Sequence, residues 1–166
     1  KDYAADTFAG GTGTWEDPYR IETPAQLAKL AKDVNDGQEY INVYFRLEAD
    51  LDLSAHRWNP IGTFIKNVVY EIDRPFCGIL DGNGKKITGL IVSEMDGSGT
   101  AGLFGNIHSK TTGNGVGVRN LTIENAYVEA TDKDLPVNYA GILAGWAQAD
   151  DDCGIGFTQV TVSGVL

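Results

Sequence analysis

Apolar positions along this chain change their spacing near Gly37. Before it, Leu27, Leu30, Ala31 and Val34 recur at i, i+3, i+4 and i+7, while Gln26, Lys29, Lys32 and Asp33 fall on the other side. That stripe predicts one amphipathic helix over Pro24 to Asn35. Thr23 is a good N-cap, Pro24 suits the first helical position, and Gly37 supplies a C-terminal stop. After Gly37 the period falls to two. Tyr44–Leu47 and Asp50–Leu53 read as short strands, and Phe76, Gly78 and Leu80 share one face of another before the turn Asp81-Gly82-Asn83-Gly84. On that alternation Cys77 points away from the core. Thr63 to Pro75 holds two apolar pairs around Lys66-Asn67 and reads as a protruding hairpin.

From Ile87 onward short segments recur. Ile87–Val92 matches Val118–Ile123, which matches Phe157–Val162, and Ala101–Gly105 matches Ala140–Gly145. Short apolar strands separated by glycine corners are the pattern of a coiled β architecture, each strand lying on its equivalent in the previous coil. Leu90, Val92, Leu121, Ile123, Val160 and Val162 then stack inside. Gly82, Gly84, Gly102, Gly105, Gly141 and Gly145 become corners, where positive φ or close backbone approach excludes a Cβ. The expected fold is therefore all-β, one domain over 1–166, with an amino-terminal segment and helix over 1–37 and β-coils over 38–166. The helix buries its stripe by closing the first coil.

Composition changes this picture in three places. Glycine, 21 of 166 residues, is nearly double its usual share of about 7% and lacks a Gly-X-Y period, so the corners account for it and collagen is excluded. A net charge of −10 with no Lys/Arg cluster removes the footprint for nucleic acid and for acidic lipid surfaces. No window approaches the roughly 18 apolar residues of a membrane helix, so no membrane insertion is expected. Cys77 and Cys153 lie in no C-x-x-C pair; they are either one disulfide or two free thiols.

An ordered set of motifs carries a family resemblance. It begins with Phe8-Ala9-Gly10-Gly11-Thr12-Gly13-Thr14, Asp17–Ile21, Thr23, Gln26-Leu27 and Leu30-Ala31. Tyr44–Leu47, Ala49–Leu53, Trp58, Pro60–Gly62, Leu80–Gly84 and the Gly-Leu-X-Gly element of Ala101–Gly105 follow in order. Together they resemble the amino-terminal region of bacterial cell-surface proteins with GLUG-type repeats. The resemblance implies a right-handed parallel β-helix on a secreted or surface-anchored protein, with the signal removed before residue 1, serving adhesion or forming the stalk of a surface enzyme. It transfers no catalytic residues and no cofactor. Gly141–Gly145 departs from the repeat by one residue.

Each candidate for chemistry has a structural alternative. Asp81 is the most tempting acid, since β-helix glycosidases and lyases use paired carboxylates, yet Asp-Gly-Asn-Gly is itself turn chemistry. Asp50 and Asp52 share one strand face, where a solvated outer surface competes with an acid pair. Asp150-Asp151-Asp152 lacks the alternating spacing of a calcium loop. His56 and His108 show no sign of converging, and no phosphate-binding loop or serine-hydrolase motif is present. Trp58 is expected in the core beneath the helix. Trp15, Trp146, Tyr19, Tyr127 and Tyr139 can stack on sugar rings if exposed, and Trp146 is the one singled out. With Tyr70, Asp132 and Asp134 from the inserted loops, Trp146 makes the ligand-binding candidate set. The expected function is a non-catalytic surface module binding a glycan or protein; its rivals are a carbohydrate-active enzyme and a structural spacer. Val160–Gly164 lacks a following Gly-Leu-X-Gly element, so further coils after Leu166 or end-to-end self-association are expected.

Overall fold

The computed structural model describes residues 3–66, 69–93, 99–112, 115–129 and 139–166. Strands dominate, and the described residues contain one helix. In chain order the elements are β1 (Tyr19–Ile21), α1 (Pro24–Asn35), β2 (Tyr44–Leu47), β3 (Leu51–Asp52), β4 (Thr63–Lys66), β5 (Glu71–Arg74), β6 (Ile79–Asp81) and β7 (Lys86–Thr88). Then come β8 (Ile91–Val92), β9 (Thr100–Ala101), β10 (Phe104–Ser109), β11 (Val116–Val128), β12 (Tyr139–Ala140), β13 (Ala144–Ala149) and β14 (Ile155–Val165).

The helix forms where the apolar stripe predicts it. The Thr23 side chain accepts from the Gln26 backbone N–H and the Gln26 side chain accepts from the Thr23 N–H, a reciprocal capping box. Leu27, Leu30, Ala31 and Val34 are the buried residues, and they enter the same core as Ile21, Phe45 and Leu47. Burying each of the larger ones stabilises by about 1.5–3 kcal/mol, which an isolated helix of this length could not supply for itself.

Nearly every named strand pairing is parallel. The main sheet runs β1-β2-β6-β11-β7-β3, with β14 and β8 also on β11; β10 pairs with β13 and β9 with β12. Among the described strands only β4 and β5 pair antiparallel, forming the hairpin expected in Thr63 to Pro75. Phe45, Leu80 and Val118 lie in register on β2, β6 and β11, and all three are buried.

The corners stack as well. β11 and β14 bend at Asn120 (φ 52°) and Gln159 (φ 54°), which lie opposite each other between the pairs Arg119–Thr158 and Leu121–Val160. On the preceding strand the bend is the Asp81–Gly84 turn, where Asn83 (φ 52°) and Gly84 (φ 69°) are left-handed. The Gly82 and Gly84 N–H groups donate to the carbonyls of Arg119 and Asn120. A side chain on Gly82 would overlap the Asn120 carbonyl, so close approach, rather than φ, requires glycine there. Gly105 is packed likewise against the Gly62 carbonyl, Gly102 and Gly141 against neighbouring backbone, and Gly145 against Ala101.

Three expectations need correction. Ile87–Val92 does not lie on Val118–Ile123: Ile87 pairs with Ile123, and Leu80 is the residue opposite Val118. The four residues Gly82–Lys85 turn the corner that Asn120-Leu121 turns in two, and this offset shifts the alignment. Val162 is 43% exposed and Val160 only partly buried, because β14 pairs with β11 alone among the described strands and nothing described lies over its other edge. Cys77 is buried, 2% exposed, because the segment around Glu39 crosses it and accepts its backbone N–H. Burial pushes the Cys77 thiol up to about 12, with the Glu39 charge adding to the effect. Both cysteines are free thiols.

Candidate functional site

The second repeat builds the site. Ala101 pairs with Ala140 but Phe104 with Ala144, so the extra residue of Gly141–Gly145 is absorbed at Ile142-Leu143 and the register resumes one residue later. Carried forward, this register sets Asn106 beside Trp146 and His108 beside Gln148 on the side of β10 and β13 opposite the buried Ile107. The β4–β5 hairpin lies along this side. Phe64 of β4 stacks on Trp146 with centroids 5.1 Å apart and planes 5° from parallel, and Tyr139 of β12 packs on Trp146 at 4.8 Å and 55°. The Trp146 indole N–H donates to Gln148 at 3.4 Å. The outcome is a half-buried aromatic strip with a polar margin.

A polar seam runs behind it. The Asn106 amide donates to Asp73 Oδ1 at 2.7 Å and to the Thr63 carbonyl at 3.2 Å, fastening the hairpin to β10. His108, 6% exposed, has Nε2 at 2.8 Å from Asp150 Oδ1 and Nδ1 at 3.8 Å from Asp73 Oδ2. His56 lies elsewhere, against Tyr3 at 4.1 Å. It borders a recess of about 440 Å³ between α1 and the 53–59 segment, where Trp58 is buried as expected and donates to the Leu103 carbonyl.

The acids do separate structural work. Asp50 accepts from the Lys86 N–H at 2.8 Å. Asp52 accepts from Ser54, whose hydroxyl and N–H hold its carboxyl below the usual range. Asp81 Oδ1 accepts from the Asn83 N–H at 2.8 Å and the Asn120 amide at 3.2 Å, and Oδ2 accepts from Arg119 Nε at 3.0 Å. Burial pushes the Asp81 carboxyl up, but these donors outweigh it and hold it below its ordinary value. A glycosidase acid requires the opposite shift. No group of three His, Cys, Asp or Glu side chains among the described residues is arranged to hold a metal ion. Tyr70 is 50% exposed beside the hairpin; Asp132 and Asp134 lie outside the described residues.

Phe64, Gln148 and the Asn106–Asp73–His108–Asp150 seam escape sequence reasoning. One signal for part of it exists: continuing the Ala101–Gly105/Ala140–Gly145 match past its glycines aligns Asn106 with Trp146 and His108 with Gln148. The contribution of the hairpin carries no local signal, because Phe64 and Trp146 are far apart in the chain.

Two known proteins are similar to this chain. A Gly-rich membrane protein of Evansella cellulosilytica is 36% identical over 130 residues, covering 75% of this chain and 13% of the relative. Halomucin of Haloquadratum walsbyi is 36% identical over 138 residues, covering 81% of this chain and 1% of its own length. The chain thus spans only a small part of each relative it matches. No family model matches the chain, and no solved structure matches it. None of the described helices is long and apolar enough to cross a membrane.

Proposed function

We propose that this chain is a non-catalytic module of a cell-surface protein that binds glycan through the aromatic strip of Phe64, Trp146 and Tyr139. The strip carries the reading: three rings brought together from β4, β12 and β13, with Gln148 at the margin, offer apolar ring surface beside hydrogen-bonding groups. The acids support it from the other side, since Asp50, Asp52 and Asp81 are each bound to different backbone or side-chain donors. The architecture behind this reading is a right-handed parallel β-helix of the GLUG-repeat type, closed at one end by α1. Parallel pairing from β1 to β14 and the in-register left-handed corners support it. A relative named as a membrane protein supports the surface location. The open edge of β14, with Phe157, Val162 and Val165 exposed, supports association through that edge with a further coil or a second copy.

The test is a glycan array read for both binding and turnover, with Trp146→Ala beside the native chain. Expected are binding without cleavage and at least about a tenfold loss of affinity in the variant, roughly 1.4 kcal/mol. Cleavage products, silence across the array, or an unaffected variant defeats the reading.

A further inference from the structure

A second aromatic site lies on the other sheet. Register along β1, β2, β6 and β11 places Arg20, Arg46, Asp81 and Arg119 in one row. They alternate with the buried Phe45, Leu80 and Val118, so the row lies on the outer face. Over this row stands Trp15, 59% exposed. The loop carrying it is braced: the Thr12 and Gly13 N–H groups both donate to the Asp17 carbonyl, the Asp17 N–H donates to the Thr14 hydroxyl, and the Tyr44 N–H donates to the Gly13 carbonyl. The Arg119 guanidinium lies 4.7 Å from the Trp15 ring centre, and Tyr44 meets that ring edge-on at 5.6 Å. These groups border a recess of about 180 Å³ lined by Trp15, Pro18, Tyr44, Arg46, Asp81 and Arg119.

The charges in this recess are internally matched. Arg119 pairs with Asp81 and Arg46 with Glu48. An incoming anion would compete with these carboxylates on a chain of net charge −10, and a cation would compete with the arginines. A neutral ligand needs neither exchange. The polar groups still have capacity: a guanidinium has five N–H donors, and Asp81 Oδ2, which accepts from Arg119 Nε, has a second lone pair. An aromatic wall, fixed donors and an acceptor around a small recess match a ring with one apolar face and several hydroxyls.

We infer that the Trp15–Tyr44–Arg46–Asp81–Arg119 recess is a second saccharide subsite, taking one neutral sugar ring against Trp15 with its hydroxyls on the Asp81–Arg119 pair and Arg46. The ligand class rests on the glycan-binding reading above; the site is separate from the Trp146 strip and fails separately from it.

The three indole N–H signals of the ¹⁵N-labelled chain, assigned by single Trp→Phe variants, read both sites at once. The probes are methyl β-glucoside, methyl β-galactoside, methyl α-mannoside and methyl N-acetyl-β-glucosaminide, each titrated to millimolar concentrations, with methyl β-glucuronide as the anionic control. Expected is a saturable shift of the Trp15 signal with at least one neutral glycoside, about tenfold weaker in Arg46→Ala. The buried Trp58 signal, held by its bond to Leu103, stays in place and reports that the fold is intact. A moving Trp146 signal with a still Trp15 overturns the subsite and leaves the aromatic strip standing; the reverse overturns the strip alone. If neither moves, both fall. Preference for the glucuronide, or an Arg46→Ala titration identical to the native one, overturns the neutral recess.

Discussion

Replacing Asp81 by alanine removes three acceptor contacts at once and separates a turn residue from a catalytic acid. The carboxylate takes the Asn83 N–H, the Asn120 amide and the Arg119 Nε, and its side chain is 20% exposed. Hydrogen bonds to a charged acceptor contribute about 1.5–3 kcal/mol when buried, and a part-exposed ion pair about 0–1. With the Asn83 bond exposed, the Asn120 contact long and the Arg119 pair partly solvated, the expected loss is about 1–2 kcal/mol. Most of it comes from the part-buried Asn120 and Arg119 donors, because water can take the exposed Asn83 N–H. Urea unfolding followed by tryptophan fluorescence measures this directly near neutral pH. The pH dependence adds a second reading. The folded-state carboxyl lies below its unfolded value, so its contribution is complete above the unfolded pKa of about 3.9 and fades as pH falls through the folded pKa. The gap between native and variant chains should therefore be constant from neutral pH down to about 5 and narrow below about 4. A gap under about 0.5 kcal/mol at neutral pH, or one that persists undiminished in acid, would refute the account of this corner.

Three further outcomes follow from the packing. Cys77, buried with its thiol pushed up to about 12, should resist a thiol reagent in the native chain near pH 8 while the less buried Cys153 reacts; two equally fast thiols would contradict the burial. As the unfolded thiol ionises near its ordinary pKa of about 8.5 and the folded one does not, Cys77 should also lower stability as pH rises above that value, and Cys77→Ser should remove this dependence. Gly105→Ala places a methyl against the Gly62 carbonyl and should lower stability by about 1–3 kcal/mol in thermal or urea unfolding, whereas Gly154→Ala, with open space around it, should cost far less; equal effects would remove close packing as the reason for glycine at Gly105.

The features legible along the chain are local in origin. Thr23, Pro24 and the Leu27–Leu30–Ala31–Val34 stripe set the helix, because capping and a one-sided apolar face are both written within one stretch of chain. Alternating positions in Tyr44–Leu47, the Asp-Gly-Asn-Gly turn and the recurrence of Val118–Ile123 in Phe157–Val162 are equally local, and they appear as read. Whatever depends on which coil lies over which emerges only in three dimensions. The fold shifted Ile87 to Ile123 because corners of unequal length slip the register. It covered Cys77 with a segment distant in the chain, and left Val162 exposed because no described strand lies beyond β14. It brought Phe64 to Trp146, and Trp15 to Arg119, across separations that no periodicity records. Side-chain direction within a strand follows from the pleat, but burial and chemistry depend on the neighbour laid against it. That neighbour is fixed only by the summed register of all preceding corners.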